Sequence, residues 1–280
     1  MEFISSIAYS GEMIKKFPFH SLSEIENKVI SSEQAYKSWK NFSFQDKINC
    51  FNSLAGLLSA NLEKAAQLIS LEMGKPIVES RAEINKCISL INYLPSQSEA
   101  LLEDEIIHVS GKIAKIRFEP LGVIFGIFPW NFPFWQILRF AVPTLMAGNT
   151  VLVKPAPNVP QSSLLLDSFF EEAGFPQGTF NTLFSPIEYL ENIVARKEIK
   201  ALTLTGSDIA GRSFAVLGSK YLKKSVLELG GSDPFIILND ADVDLAVENA
   251  IKSRFTNNGQ SCISAKRFIV EQKIYPDFMQ

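Results

Sequence analysis

Leu202-Thr203-Leu204-Thr205-Gly206-Ser207-Asp208-Ile209-Ala210-Gly211 passes from an apolar run through a glycine turn into a helical pattern. A buried strand, a turn without a side chain, a serine able to cap and a small residue one turn later let an anionic phosphate approach the first N–H groups of a helix. The spacing is not the usual GxGxxG, and for these residues in isolation a tight strand-to-helix turn without ligand is the better reading. The surroundings decide the fold. Leu121–Phe128, Thr150–Lys154, Thr179–Phe184, Lys200–Thr205 and Ser225–Leu229 are short apolar runs that alternate with helical stretches such as Ser162–Ala173 and Ile209–Leu217. That alternation predicts an α/β fold with a doubly wound, mainly parallel, Rossmann-like sheet. Beyond Gly230-Gly231, Pro234–Leu238, a helix around Val243–Ile251 and Ser264–Val270 begin a second α/β unit, which breaks off at Gln280.

Upstream of Pro120 the first hundred residues read as helices. Ser23-Glu24-Ile25-Glu26 has the form of a capping box, and Ile25, Val29 and Trp39 recur on a helical period. A second helix starts near Ser43 with Ile48, Phe51, Leu54, Leu57 and Leu58 on one face; a third runs from Asn61 to Gly74, ahead of Pro76; a fourth covers Ile77–Leu101. Between His108 and Phe118, Val109, Ile113 and Ile116 are spaced among Lys112, Lys115 and Arg117, as in a half-exposed strand or hairpin.

The 280 residues, 46% of them hydrophobic, suffice for one large domain and part of a second. A net charge of −3 and a pI near 5.6 create no field that attracts nucleic acid or an anionic membrane, so a small molecule is the expected partner. Residues 1–11 lack a basic head followed by an apolar run, and the apolar stretch 121–128 is far too short to span a bilayer; a cytoplasmic setting is expected. Three cysteines, Cys50, Cys87 and Cys262, are an odd number at wide spacings, against a disulfide framework or a zinc site. Any cysteine that matters here matters as a thiol.

Cys262 is the candidate. Asn258-Gly259-Gln260-Ser261 ahead of it form a flexible, small-residue loop that presents sulfur to a cleft, whereas a lone cysteine is more often an inert core residue. The two histidines, His20 and His108, fall in an N-terminal loop and in the arm, so a carboxylate has to serve as base. Glu228, in Val226-Leu227-Glu228-Leu229-Gly230-Gly231, sits at an apolar strand end where desolvation would raise its pKa; a surface-facing strand glutamate is an equal reading. In Pro129-Trp130-Asn131-Phe132-Pro133 two prolines hold Asn131 in an extended turn whose amide can face an oxyanion, or which is merely rigid. Lys154, followed by Pro155-Ala156-Pro157, can offer an ammonium to hydroxyl or phosphate groups or stay solvated. Arg139, on the helical face of Trp135, can pair with a carboxylate or bond to carbonyls.

Together, Pro129–Pro133, Lys154-Pro155-Ala156, Thr205-Gly206-Ser207, Leu227–Gly231 and Gly259–Cys262 occur in the order and spacing of the aldehyde dehydrogenase superfamily, which the chain resembles from about Ile25 to its end. The longer stretches Phe134-Trp135-Gln136, Arg139-Phe140, Ala147-Gly148-Asn149 and Asn158-Val159-Pro160-Gln161 resemble its succinate-semialdehyde dehydrogenase-like branch. The resemblance implies that Cys262 is the nucleophile, Glu228 the general base and Asn131, with the Cys262 backbone N–H, the oxyanion donor. It implies that Trp130, Lys154, Pro157, Gly206, Ser207, Gly211 and Leu229 surround a nicotinamide dinucleotide. Helical position, rather than the resemblance, places Arg139 on the face of Trp135 towards the pocket mouth, where it can pair with the distal carboxylate of succinic semialdehyde or serve as a structural arginine. The implied reaction is thiolate addition to an aldehyde, hydride transfer to the nicotinamide, water attack directed by Glu228, and release of the acid, without a metal. An acyl acceptor other than water, coenzyme A, is the alternative within the family. Where many NAD-preferring relatives carry a glutamate for the adenosine ribose, this chain has Pro157, so NADP is expected to be tolerated or preferred over NAD.

The implied organisation is a dinucleotide-binding domain from residues 1–105 and 120–228, an oligomerisation arm over 106–119, and the beginning of a catalytic domain over 229–280. The family's Glu-x-Phe-Gly-Pro motif and the strand that completes a partner's sheet do not occur in these residues, so the chain corresponds to the N-terminal part of such a protein. The full-length form is expected to be a homodimer or homotetramer. A catalytically incomplete chain that retains at most dinucleotide binding is the reading from another class.

Overall fold

The computed structural model describes residues 2–280 and divides into two compact units, the first ending at Glu228 and the second running from Leu229 to Gln280. The first unit opens with an antiparallel hairpin of β1 (Phe3–Ser6) and β2 (Met13–Phe17), where an all-helical start was expected. Its alternation is hard to read because it is short and β2 has almost no buried face; only Phe3 and Ser5 of β1 are buried. The Ile4 N–H of this hairpin donates to the Pro157 carbonyl at 2.9 Å.

Helix α1 (Leu22–Trp39) begins two residues earlier than the sequence suggests. The capping box is Ser21 with Glu24: Glu24 Oε2 accepts the Ser21 N–H at 2.7 Å and Ser21 Oγ accepts the Glu24 N–H at 3.3 Å. Next come α2 (Phe44–Ala60), capped by Ser43, α3 (Leu62–Met73), ended by Gly74 at φ +82°, and α4 (Ile77–Leu101). Left-handed backbone at Gly74 lets the chain reverse without a Cβ penalty. The hairpin β3 (Glu105–Val109) and β4 (Lys112–Ile116) follows, with Ile106, Ile107, Val109, Ile113 and Ile116 all exposed.

The remaining elements of this unit are β5 (Val123–Ile127), α5 (Trp135–Met146), β6 (Thr150–Lys154), α6 (Pro160–Glu172), β7 (Phe180–Thr182), α7 (Leu190–Val194), β8 (Ile199–Thr205), α8 (Asp208–Lys220) and β9 (Lys224–Glu228). The five strands form one parallel sheet in the order β7-β6-β5-β8-β9. The chain moves outward from β5 to β7 and then returns across β5 to β8, so right-handed crossovers place the two sets of helices on opposite faces. Buried strands of this kind read as continuous apolar runs, as Val151-Leu152-Val153 does. The main core joins α2, α4 and α5 through Phe51, Leu54, Ile84, Ile91, Ile137 and Leu145, and the Trp39 indole N–H donates to the Leu145 carbonyl at 2.9 Å.

The second unit contains β10 (Pro234–Ile237), α9 (Val243–Phe255), β11 (Arg267–Val270) and α10 (Tyr275–Phe278). Strands β10 and β11 pair in parallel around the α9 crossover, and Asp242 caps α9 by accepting the Leu245 N–H at 3.0 Å.

Candidate active site

In a doubly wound sheet the crevice beyond the carboxyl ends of the strands, where the strand order reverses, is the place for a ligand. Here the reversal lies between β5 and β8, with Ile127 paired to both Lys154 and Leu204 and Thr205 paired to Glu228. The turns that leave these ends carry Trp130 and Asn131 after β5, Pro157 after β6, and Gly206 and Ser207 after β8. Two backbone bonds close the row: Phe128 N–H to the Lys154 carbonyl and Gly206 N–H to the Glu228 carbonyl, each 3.0 Å. Parallel topology thus gathers residues up to 101 positions apart along one edge of the first unit.

Gly206 keeps the approach to α8 open, since a Cβ built there would meet only the Leu204 side chain, at 3.4 Å. Ser207 is the N-cap of α8 and its hydroxyl accepts the Ala210 N–H at 3.3 Å; buried Gly211 donates its N–H to the Ser207 carbonyl at 2.8 Å. The other N–H groups of a helix's first turn have no intrahelical acceptor, which is what an anion site uses.

Lys154 is 6% exposed, and its ammonium forms no hydrogen bond or ion pair with any described residue; it lies 5.4 Å from the centre of the Phe3 ring. Burial lowers its pKa to about 8. A buried cation without a carboxylate is a standing cost that a bound anion would remove, so the residues present fit a dinucleotide phosphate. Pro157 is exposed, and no carboxylate stands at that position to repel one.

The Pro129–Pro133 turn is held from outside, by residues the sequence reading left in the scaffold. Buried Glu83, on α4, accepts the N–H groups of Phe134 and Trp135 through Oε1, both at 2.9 Å, and pairs through Oε2 with buried Lys75. Lys75 also donates to the Asn131 carbonyl at 3.3 Å and lies 4.2 Å from the Phe132 ring centre. Burial pushes the Glu83 carboxyl up, while Lys75 and the two N–H groups pull it down. Glu72, at the end of α3, does the same for the turn after β6, accepting from Gln161 N–H at 3.1 Å, Ser162 N–H at 2.9 Å and Ser162 Oγ at 2.7 Å. The signal in the sequence was a glutamate on an apolar helical stripe: Ser80, Glu83, Ile84, Cys87 and Ile91 share the buried face of α4.

Trp135 and Arg139 occupy successive turns of α5, with the Lys86 ammonium 4.0 Å from the centre of the Trp135 ring. Arg139 Nη2 stands 3.8 Å from Glu228 Oε2, their side chains 40% and 60% exposed. Glu228 is thus exposed where a desolvated position was expected: β9 is the edge strand, with β8 as its one neighbour in the sheet. A pair this exposed and this long contributes little to stability and is free to exchange partners.

In the second unit Leu229 is half-buried and Cys262 is exposed. The loop before the thiol is not flexible in the way its composition suggests. Asn257, Asn258 and Gly259 take φ of +58°, +55° and +74°, a left-handed turn that only glycine and asparagine adopt at small cost. Arg254 donates to the Gly259 carbonyl at 3.3 Å and the Gln260 N–H to the Asn257 carbonyl at 2.9 Å. Lys266 Nζ bridges the carbonyls of Gly231, at 2.6 Å, and Cys262, at 2.8 Å. These bonds fix the sulfur's place within its own unit. Among the described residues no cluster of three or more His, Cys, Asp or Glu is suited to a metal, and no helix is long and apolar enough to cross a membrane.

The model of the aldehyde dehydrogenase family matches residues 2–280. A Synechocystis sp. protein named a probable succinate-semialdehyde dehydrogenase (NADP+) is 43% identical over 271 residues, 97% of this chain and 60% of that protein. The succinate-semialdehyde dehydrogenase (NADP+) of Deinococcus radiodurans is 41% identical, over 97% of this chain and 57% of its own length. Among solved structures, the succinic semialdehyde dehydrogenase of Streptococcus pyogenes in complex with NADP+ superposes with a TM-score of 0.96 at 31% identity, covering 99% of this chain and 61% of that one. The chain thus spans about three-fifths of the length of the relatives it matches. It belongs to the aldehyde dehydrogenase family.

Proposed function

We propose that this chain supplies the nucleophile, the base and the dinucleotide cradle for NADP-dependent oxidation of succinic semialdehyde to succinate. The observation that carries the reading is the solvent-exposed Cys262 sulfur on a backbone locked by three consecutive positive φ angles, in a member of this family. The Cys262 thiolate adds to the aldehyde carbon, and the oxyanion so formed is stabilised by the Asn131 side-chain amide and the Cys262 N–H. When bound, the nicotinamide supplies the acceptor for the hydride that leaves that carbon, which converts the adduct into a thioester. Glu228 takes a proton from water as the water oxygen attacks the thioester carbon; collapse expels the thiolate and frees the acid. Exposure suits Glu228 to this step because it meets water directly. A second copy of the chain is the proposed cover for the apolar side chains of β3 and β4, giving a homodimer or homotetramer.

Lys154, Gly206 and Ser207 are the proposed phosphate contacts, and Pro157 the reason for NADP. Because burial brings the Lys154 pKa to about 8, the free protein loses this charge as pH rises through that value. NADP affinity then falls above pH 8, approaching about tenfold per pH unit, and Lys154→Met gives weak binding without that slope. Fluorescence titration with NADPH between about pH 7 and pH 9.5 checks it; equal slopes in both proteins remove Lys154 from the phosphate site.

Arg139 is the proposed partner of the substrate's distal carboxylate, which displaces the exposed Glu228 from the guanidinium. Arg139→Ala lowers kcat/KM for succinic semialdehyde by about 30-fold and for butyraldehyde by less than about threefold, the worth of one charge-assisted contact. Equal losses on the two aldehydes would show a structural role only. The reading as a whole is tested by NADPH formation on addition of succinic semialdehyde.

A further inference from the structure

We propose that the buried Lys75–Glu83 pair is a positioning device that sets the direction of the Asn131 amide, the inference resting on the reading of Asn131 as oxyanion donor. The two prolines of the turn fix φ only at residues 129 and 133. Rotation at Trp130, Asn131 and Phe132 is left open by the sequence, and a donor misplaced by about 1 Å loses much of its effect on a developing oxyanion.

The pair closes that freedom at the downstream end of the turn and at its middle. Phe134, the cap residue of α5, has no side-chain cap of its own, and Glu83 Oε1 takes the place of one by accepting from Phe134 and Trp135, each at 2.9 Å. A carboxylate at a helix N-terminus, bonded to two N–H groups, holds the downstream end of the turn. Lys75, bound to the other oxygen of the same carboxylate, reaches the Asn131 carbonyl at 3.3 Å and covers the Phe132 ring, which holds its middle. Both side chains are at most 1% exposed, so neither has water as an alternative partner. Well-packed apolar side chains would stabilise such a site at least as well, so stability alone does not call for an ion pair there; fixed geometry does.

The test compares two reactions of Cys262. Attack of its thiolate on p-nitrophenyl acetate forms a thioacetate and expels p-nitrophenolate through an oxyanion; alkylation by iodoacetamide displaces iodide and forms none. The ratio of the two rate constants reports the oxyanion donor, without NADP or turnover, and is measured on the unmodified chain, Asn131→Ala, Glu83→Gln and the double variant, each first shown by circular dichroism to be folded. Asn131→Ala is expected to lower the ratio by about 100-fold, Glu83→Gln by about tenfold, and the double variant no further than Asn131→Ala alone. Glu83→Asp, which retains the buried charge but withdraws it from α5, lowers the ratio as well and serves should Glu83→Gln not fold. A ratio unchanged in the Glu83 variants while Asn131→Ala lowers it, or losses that multiply in the double variant, overturns the positioning role. A ratio unchanged in Asn131→Ala removes the donor assignment itself, and the inference with it.

Discussion

On the proposed reading, Cys262→Ala is expected to abolish acid formation from succinic semialdehyde and from butyraldehyde, a loss of at least about four orders of magnitude in kcat, while NADP affinity stays within about twofold. The asymmetry follows from chain topology. The thiol belongs to the second unit, whereas Lys154, Gly206 and Ser207 belong to the first, so their bonds do not depend on it. No other sulfur takes over. Cys87 is completely buried, which holds its thiol far above its ordinary pKa, and half-buried Cys50 is shifted the same way by burial and by Asp46. Glu228→Gln is expected to give the complementary result: acylation proceeds and the thioester accumulates, visible as added mass on the intact protein. Undiminished acid formation in that variant would remove Glu228 as base, and coenzyme A-dependent release of the acyl group would move the chain to the acylating branch of the family. Turnover surviving in Cys262→Ala would end the covalent reading altogether.

The parts of this architecture that were legible in the sequence are those set by local periodicity and turn chemistry. Thr150–Lys154 and Ile77–Leu101 coincide with β6 and α4, Gly74 ends α3 as a left-handed cap, and Ser207 caps α8. What periodicity misses is where a side chain has its partner far along the chain. The N-terminal hairpin was hidden because its alternation is short, and because β1 is tied to the turn after β6, more than 150 residues on. Glu228 reads as desolvated only if β9 is taken for an inner strand, and nothing local says that it is the edge. The left-handed turn at Asn257–Gly259 looks in sequence like a loose small-residue loop, although asparagine next to glycine is also the composition that permits positive φ. Glu72, Lys75 and Glu83 stand among the helices taken as scaffold, and only the fold shows that they reach across to the turns after β5 and β6. Candidate site residues could be named from local motifs, whereas the groups that hold the turns around them could not.

That difference gives the largest stability effect expected in the first unit. Glu83→Ala removes a carboxylate that satisfies a buried ammonium and two helix N–H groups at once, and leaves all three without their partner in a site water does not reach. Breaking one side of a buried pair costs about 3–5 kcal/mol, against a total of about 5–15 kcal/mol for an ordinary domain. Urea denaturation followed by tryptophan fluorescence should show the midpoint falling with little change in slope, since the buried surface is the same. Replacing both members, Lys75→Met with Glu83→Leu, should recover much of that loss, because no charge is then stranded. The double replacement nevertheless leaves the Phe134 and Trp135 N–H groups uncapped and the Asn131 carbonyl unheld, so its rate of Cys262 acylation relative to alkylation stays low while its stability returns. If stability and that ratio recover together, the ion pair contributes only packing, and the turn after β5 holds its shape through its prolines.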